Sequence, residues 1–235
     1  MKKTNEFDEE LINKLDMFRV KLKNGDTTSQ KEINIICKEL RGFKNRFCFN
    51  EKDEILYLVD IHGKSNELKA PRWLCHLFGL RHRCIHILLR WKSPDLGDVF
   101  ILQVRSWTKS DSPGHLDISV GGHIVGESQS IVIQTAYKEM EEELGITQSD
   151  LIGRKLFFSA EYESKNKDEL RYFYNTEWRF VFKGEISTNR FDKIRFNDNE
   201  VVGIYLCPES EAIELLRQKV IPIANALKES LQYCI

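Results

Sequence analysis

The sequence lacks several features that would place a chain in common functional classes. Its formal net charge is −1 over 235 residues, so it has no general basic surface for nucleic acid, whose binding depends on counterion release. No apolar run approaches a membrane span, and the charged start MKKTNEFDEELINKL has no apolar segment typical of a signal peptide. The six cysteines show no CxxC spacing, which disfavours a disulfide or zinc framework. We expect a cytoplasmic protein that binds neither nucleic acid nor a membrane.

Apolar periodicity divides the sequence into an N-terminal extension, residues 1–75, and a larger domain with C-terminal helices, residues 76–235. Two helices are predicted in the extension between about Glu6 and Gly42, with Ser29 as the N-cap of the second. Both helices carry apolar stripes that would otherwise face water. We therefore expect the extension to be folded onto the core or onto a second subunit.

In the larger domain, the sequence predicts strands and a few helices without regular βαβ alternation. Such a mixture indicates an α/β fold with a mixed sheet between helices. Before these elements along the chain, a hairpin or strand is predicted at residues 47–62 and a connector at residues 64–81. The other predicted elements are strands at Cys84–Trp91, Val99–Arg105, Leu116–Gly121, Leu156–Tyr162, Trp178–Ile186 and Val201–Cys207, and helices at Ser130–Leu144 and from Glu209 to the C-terminus, interrupted by Pro222.

The stretch Gly121–Ile146 (GGHIVGESQSIVIQTAYKEMEEELGI) carries the most chemistry. On its predicted helix, Glu139, Glu142 and Glu143 follow the spacing i, i+3, i+4 and share one face. A solvated acidic face is one interpretation, although like charges destabilise a helix there. The second interpretation is a binding site for a cation that prefers oxygen ligands, such as Mg²⁺, Mn²⁺ or Ca²⁺. The order of strand, glycine loop, helix and C′ glycine (Gly145) favours the cation, because it presents backbone N–H groups to a diphosphate and its metals.

This stretch resembles the Nudix box, G-x5-E-x7-R-E-U-x-E-E-x-G-U, where U is aliphatic. Gly121 and Glu127 match its first half, and Glu139–Ile146 match its second half position by position. Three residues are inserted around Ser130–Gln134, and Lys138 replaces the arginine, without the bidentate fork of that side chain. The resemblance implies the Nudix-type α/β/α sandwich with a mixed sheet, to which the N-terminal helical extension is added.

The resemblance also implies an activity, the Mg²⁺-dependent hydrolysis of a diphosphate linkage in a nucleoside diphosphate derivative or a related organic diphosphate, with Mn²⁺ able to substitute. Metal ions in the carboxylate cluster would polarise the phosphoryl oxygens and lower the pKa of a bound water. The implied roles are catalysis for Glu139, Glu142 and Glu143, metal ligation for these three and Glu127, and structural support for Lys138 and Gly145. A Nudix module that binds a ligand without hydrolysing it is the alternative function.

Residues upstream of the box (Val104–Ser106, Lys109 and Pro113–His123) resemble the isopentenyl-diphosphate-isomerase-like branch of Nudix proteins. In true isomerases, a cysteine that takes part in proton transfer precedes the Gly-His pair. Here that position is Gly121, which has no side chain to act as acid or base. The resemblance therefore implies a hydrolase of that branch, with an isoprenoid diphosphate isomerase as the weaker alternative.

The isomerases also bind a metal through histidines and glutamates. His123 matches one such histidine and His82 another. Asn175 and Glu177 lie at the positions of the isomerase carboxylates, but Asn175 is an amide. A second, histidine-based metal site is thus an open alternative to a hydrogen-bonding or substrate-contacting role. The expected substrate-binding residues are Arg105, Gly121, Gly122, His123 and Glu177.

The run from Pro71 to Arg83 concentrates basic and aromatic residues. Its arginines could hold a phosphate and its aromatic side chains could stack a base. For Trp73 the structural interpretation, packing on the sheet, is favoured, whereas for Arg81 and Arg83 both interpretations stay open. The expected partner is a small-molecule diphosphate, and a homodimer is left open.

Overall fold

The computed structural model describes residues 9–23, 29–46, 54–109, 111–197, 199–218 and 220–235. Two compact units contain them. The first comprises the described residues within Met1–Arg83, Val125–Glu127 and Glu163–Trp178, and the second those within Cys84–Ile124, Ser128–Tyr162 and Arg179–Ile235. None of the described helices has the length and apolar character needed to cross a membrane.

The helices and strands follow one another in a mixed α/β order, as expected. The helices are α1 Glu9–Lys23, α2 Gln30–Leu40, α3 Arg72–Phe78, α4 Ser130–Leu144, α5 Ala212–Arg217 and α6 Asn225–Ser230. The strands are β1 Ile55–Val59, β2 Ser65–Pro71, β3 His82–Ser93, β4 Gly97–Arg105, β5 Leu116–Asp117, β6 Val120–His123, β7 Phe157–Asp168, β8 Phe173–Ile186 and β9 Val201–Pro208.

The first unit is built around an apolar cluster supplied by its helices and by the β1–β2 hairpin. The stripe of α1 (Leu11, Leu15, Phe18 and Leu22) and that of α2 (Ile33, Ile36 and Leu40) are buried together with Leu56, Trp73, Leu77 and Phe173. Ser29 caps α2 in a capping box with Glu32, which confirms the predicted N-cap. Trp73 is buried, which confirms its structural interpretation.

The connector predicted at residues 64–81 is wrong, because these residues form β2 and α3. The β2 sequence SNELKAP is mostly polar and half-exposed, so it shows no apolar alternation. Pairing with β1 holds it in place, in a register that sets Leu56 opposite Ala70. The part of the predicted hairpin at 47–53 lies outside the described residues.

The second unit contains the strands that position Gly121 and Gly122 of the box. Strand β4 pairs antiparallel with β3, β5 and β9, and β3 pairs antiparallel with β6. A parallel bridge joins Leu116 and Ile223. The single strand predicted at Leu116–Gly121 is divided into β5 and β6, because the buried Ser119 hydroxyl accepts a hydrogen bond from Leu89 N–H and donates one to the Ile101 carbonyl.

Candidate active site

Helix α4 carries the box glutamates and has the bounds that the sequence predicts. Gly145 ends the helix in the left-handed conformation (φ 67°), and its N–H donates to the Glu141 carbonyl at 2.9 Å. Val132, Ala136, Met140 and Leu144 lie on the buried face. Glu143 lies on that same face and is only 2% exposed, so its carboxylate points into the protein and needs polar contacts there.

Two of the three glutamates, Glu139 and Glu143, lie against the glycine pair Gly121 and Gly122. Gly121 N–H donates to Glu143 Oε2 at 3.3 Å. A Cβ atom on Gly122 would lie 2.4 Å from Cγ of Glu139, a distance that no side chain tolerates. Strand β6 and helix α4 are thus joined at two carboxylates, and residue 122 must be glycine for Glu139 to occupy this position.

Lys138 holds the third glutamate. Its Nζ lies 2.7 Å from Oε2 of Glu142 and 3.5 Å from Oε1 of Glu139. The hydrogen bond to Glu142 raises the pKa of Lys138, against a smaller opposing effect of burial. The lysine therefore offsets part of the like-charge repulsion on this face, so repulsion alone is no evidence for a cation.

The donor set nevertheless fits Mg²⁺. All three side chains offer carboxylate oxygens, the ligand type that a hard cation prefers, and Gly122 leaves the space that Glu139 fills. Within the described part of the chain, the three glutamates do not form a group with ligand atoms within 4.8 Å of one another. Glu142 is 49% exposed in its side chain, so it can rotate towards an ion without disturbing the core.

Glu127 lies in the first unit, on the loop that follows β6, and is exposed. Arg83 donates from Nη2 to the Gly126 carbonyl beside it. Burial lowers the pKa of Arg83, and the charge of Glu127 opposes this shift. Arg83 thus fixes the backbone of the loop that bears Glu127, while metal ligation by Glu127 stays a prediction.

Arg105, the expected diphosphate-binding cation, is engaged within the second unit. Its Nη1 donates to Asp117 Oδ2 at 2.9 Å, and its Nε and Nη2 donate to the Asp111 carbonyl at 3.2 and 2.9 Å. Burial raises the pKa of Asp117, and the guanidinium of Arg105 opposes that shift. Arg105 therefore neutralises a buried carboxylate, and its contact with substrate stays a prediction.

A group of buried ligand-type side chains lies in the first unit. His76, His82 and Glu177 place ligand atoms within 4.8 Å of one another. His82 Nδ1 lies 2.8 Å from the Leu80 carbonyl, which can only accept, so Nδ1 carries the proton and Nε2 the lone pair. Asn175 donates to Glu177 Oε1 at 2.8 Å. The amide that departs from the isomerase pattern therefore orients the carboxylate.

His76 was missed by the sequence analysis. It lies on α3, within the segment interpreted as a connector, and a single histidine on a buried helix gave no signal for a ligand. Burial, with help from His76, lowers the pKa of His82 to about 4. The imidazole is therefore neutral at physiological pH, the form that can ligate a metal.

His123 belongs to the second unit, on β6, where its Cα is paired with that of Cys84. Two pairs further along, His86 lies opposite Gly121. A Cβ on Gly121 would lie 3.7 Å from His86 Cδ2 and 3.3 Å from Ile118 Cδ1. The position of the isomerase cysteine is therefore bordered by an imidazole and an isoleucine.

His86 itself is part of a buried polar chain that the sequence did not reveal. Its Nδ1 lies 2.7 Å from Ser230 Oγ, and Ser230 Oγ lies 3.0 Å from the Tyr162 hydroxyl. These residues come from β3, α6 and β7. No local pattern could have predicted a chain assembled from such distant segments.

Comparison with known proteins identifies the family. The family model for the NUDIX domain matches residues 81–229. The chain belongs to the Nudix family. It is similar to Nudix hydrolase 3 of Arabidopsis thaliana, with 32% identity over 160 residues, which are 67% of this chain and 17% of that protein. It is also similar to the uncharacterized Nudix hydrolase YfcD of Escherichia coli K12, with 33% identity over 110 residues, 46% of this chain and 56% of that protein.

The chain spans less than two thirds of the length of either relative. Among solved structures, the crystal structure of DR0079 from Deinococcus radiodurans aligns with a TM-score of 0.54 and 19% identity, covering 77% of this chain and 99% of that one. At that level of identity the likeness concerns the fold alone. It confirms the Nudix fold expected from the box.

Proposed function

We propose that this Nudix chain is a pyrophosphohydrolase that uses Mg²⁺, or Mn²⁺ in its place, to hydrolyse a diphosphate linkage in a nucleoside diphosphate derivative or a related organic diphosphate. The observation that supports this most directly is the contact of the glycine pair with Glu139 and Glu143. It brings the loop that would receive a diphosphate directly against the carboxylates that would bind its metal.

Each residue of the site has a separate role in this proposal. When bound, Mg²⁺ polarises the phosphoryl oxygens and activates a water. Glu139, Glu142 and Glu143 would hold the ion, and Glu127 would add a ligand or orient the loop. The Gly121 N–H fixes one oxygen of Glu143. Lys138 pairs with Glu142 on the same face, and this pairing would limit the side-chain entropy that Glu142 loses as a metal ligand.

The test is phosphate release from a panel of nucleoside diphosphate derivatives and other organic diphosphates, with Mg²⁺, with Mn²⁺ and with a chelator. We expect release from at least one substrate in the presence of either metal and none with the chelator. Metal-independent release from the same substrates would contradict the proposal.

A ligand-binding module without hydrolysis is the second candidate, because Lys138 occupies Glu142 and the three glutamates do not converge. Calorimetry on the same panel separates the two functions. Tight binding of a diphosphate without any turnover in Mg²⁺ or Mn²⁺ would favour the module, whereas turnover would exclude it.

We further propose a metal site at His76, His82 and Glu177. Two imidazoles and a carboxylate suit zinc or another first-row transition ion better than Mg²⁺. We expect the purified protein to retain such an ion after dialysis, measured by elemental mass spectrometry, and a His76→Ala/His82→Ala variant to lose it. The variant His115→Ala, at a half-buried histidine outside this group, is the control that keeps the ion. Equal metal content in all three proteins would contradict the site.

The isomerase-like branch suggests a further test. Isomerisation would exchange C–H protons of isopentenyl diphosphate with solvent, and Gly121 provides no group for this step. We expect no deuterium incorporation from deuterated water, whereas incorporation at an enzymatic rate would favour an isomerase.

A further inference from the structure

Strand β7 presents an edge with a self-complementary charge pattern. Among the described strands it hydrogen-bonds to β8 and to no other. An edge strand exposes backbone N–H and C=O groups that can pair with another chain. At 12 residues, Phe157–Asp168, this edge is long enough for an extended pairing.

The two faces of β7 differ in character, because side chains alternate along a strand. Ala160 and Tyr162 pack against the apolar cluster of the second unit, and Ser164 is buried. The other face carries two glutamates followed by two lysines, in the order Glu161, Glu163, Lys165 and Lys167.

We propose that β7 pairs antiparallel with β7 of a second copy of this chain, about a two-fold axis that passes at Ser164. Glu161 of one copy then lies opposite Lys167 of the other, and Glu163 opposite Lys165. Because the interface is two-fold symmetric, each pair occurs twice. Opposite charges directly across an antiparallel pair are stabilising, whereas like charges there are destabilising.

The charge pattern selects this register over its neighbours. A shift by two residues in one direction sets Lys165 of one copy opposite Lys165 of the other. The same shift in the other direction sets Glu163 of one copy opposite Glu163 of the other. In both cases like charges meet. A shift by one residue would set the charged face of one copy against the buried face of the other.

Exposed apolar side chains near the two ends of the strand agree with the pairing. The side chain of Leu170, just beyond the strand, is 93% exposed, and that of Phe158 near its start is 57% exposed. The same axis brings Leu170 of each copy towards Phe158 of the other.

Sedimentation equilibrium of the full chain over a concentration series tests the proposal. We expect wild-type dimers, and monomers for the all-lysine strand (Glu161→Lys/Glu163→Lys) and for the all-glutamate strand (Lys165→Glu/Lys167→Glu), with dissociation constants raised about tenfold or more. Mixing these two variants restores dimers, because every cross-strand pair is then of opposite charge. The control Glu211→Lys/Glu214→Lys carries the same charge change on exposed residues outside β7 and stays dimeric.

Glu163 also binds Arg81 at 2.6 Å, so its reversal could affect folding. The fourfold variant Glu161→Lys/Glu163→Lys/Lys165→Glu/Lys167→Glu keeps the reversed residues and recovers the complementarity. We expect it to dimerise. A monomeric wild type, or dimers that persist in both the all-lysine and the all-glutamate variants, would overturn the proposal.

Discussion

Gly122 is the residue on which the position of Glu139 depends. We expect Gly122→Ala to lower kcat/KM about a hundredfold, because its Cβ would lie 2.4 Å from Glu139 Cγ and displace that carboxylate. The matched control is Gly203→Ala, where the nearest atoms are those of Val104 at 3.9 Å or more. Hydrolysis kinetics of both variants decide the matter. Wild-type kcat/KM in Gly122→Ala would show that Glu139 is not needed at this position.

Asp150 is a buried carboxylate whose pKa links stability to pH. Burial raises its pKa, but hydrogen bonds from Lys193 and Thr147 outweigh burial and lower it to about 2. In the unfolded chain the pKa of aspartate is about 3.9. The folded state is therefore favoured by about 2 kcal/mol above that pH, and this stabilisation is lost as the pH falls through the folded pKa.

We expect Asp150→Asn to lower the free energy of unfolding by about 2 kcal/mol near neutral pH. The deficit should shrink as the pH falls towards 2, because wild-type Asp150 is then protonated as well. Urea unfolding of both proteins across this range measures the difference. A deficit that stays constant with pH would show that the charge of Asp150 is not its source.

At the scale of elements, helix α4 has the predicted bounds and contains the ion pair between Lys138 and Glu142, in line with the support expected from this lysine. We expect Lys138→Gln to destabilise the metal-free protein by about 0.5 kcal/mol, because Glu139 and Glu142 then repel each other without compensation. For the same reason, added Mg²⁺ should raise the Tm of this variant more than that of the wild type. Lys138→Arg keeps the charge and is the control. Equal Mg²⁺ responses in all three proteins would place the ion elsewhere.

The elements that the sequence predicted well are those with strong local signals. Helices α1, α2 and α4 follow from apolar spacing, from the Ser29 cap and from Gly145. Strand β2 and helix α3 did not follow, because the polar sequence of β2 depends on pairing with β1. The start of β8 at Phe173, five residues before the predicted one, is likewise determined by neighbouring strands.

At the scale of the whole molecule, the N-terminal helices complete the core of the first unit. We expect removal of residues 1–46 to expose Leu56, Leu74 and Leu77, which are at most 1% exposed in the full chain. Hydrogen exchange of β1 and α3 should then quicken. Removal of residues 1–8 alone is the control. Unchanged exchange after the larger deletion would show that the helices add nothing to this core.

The candidate site was predictable where its chemistry is local in sequence. The glutamate face and the glycine pair follow from the box, although the hydrogen bond between Gly121 and Glu143 needed the structure. The Arg105–Asp117 pair did not follow, because its partners meet only through the pairing of β4 with β5. The same holds for His76 with Glu177, which are about a hundred residues apart. The 1–75 boundary and the cytoplasmic location stay predictions.

The most direct test of a metal-dependent hydrolase at the box compares the Mg²⁺ dependence of turnover in wild type, Glu142→Gln and Glu143→Gln, on a substrate found in the panel. Glutamine keeps the shape of glutamate but lacks the charge that a metal ligand needs. We predict Mg²⁺-dependent turnover in the wild type and a loss of about a hundredfold or more in each variant, with both variants folded. Near wild-type turnover in both variants would contradict a metal site at these glutamates.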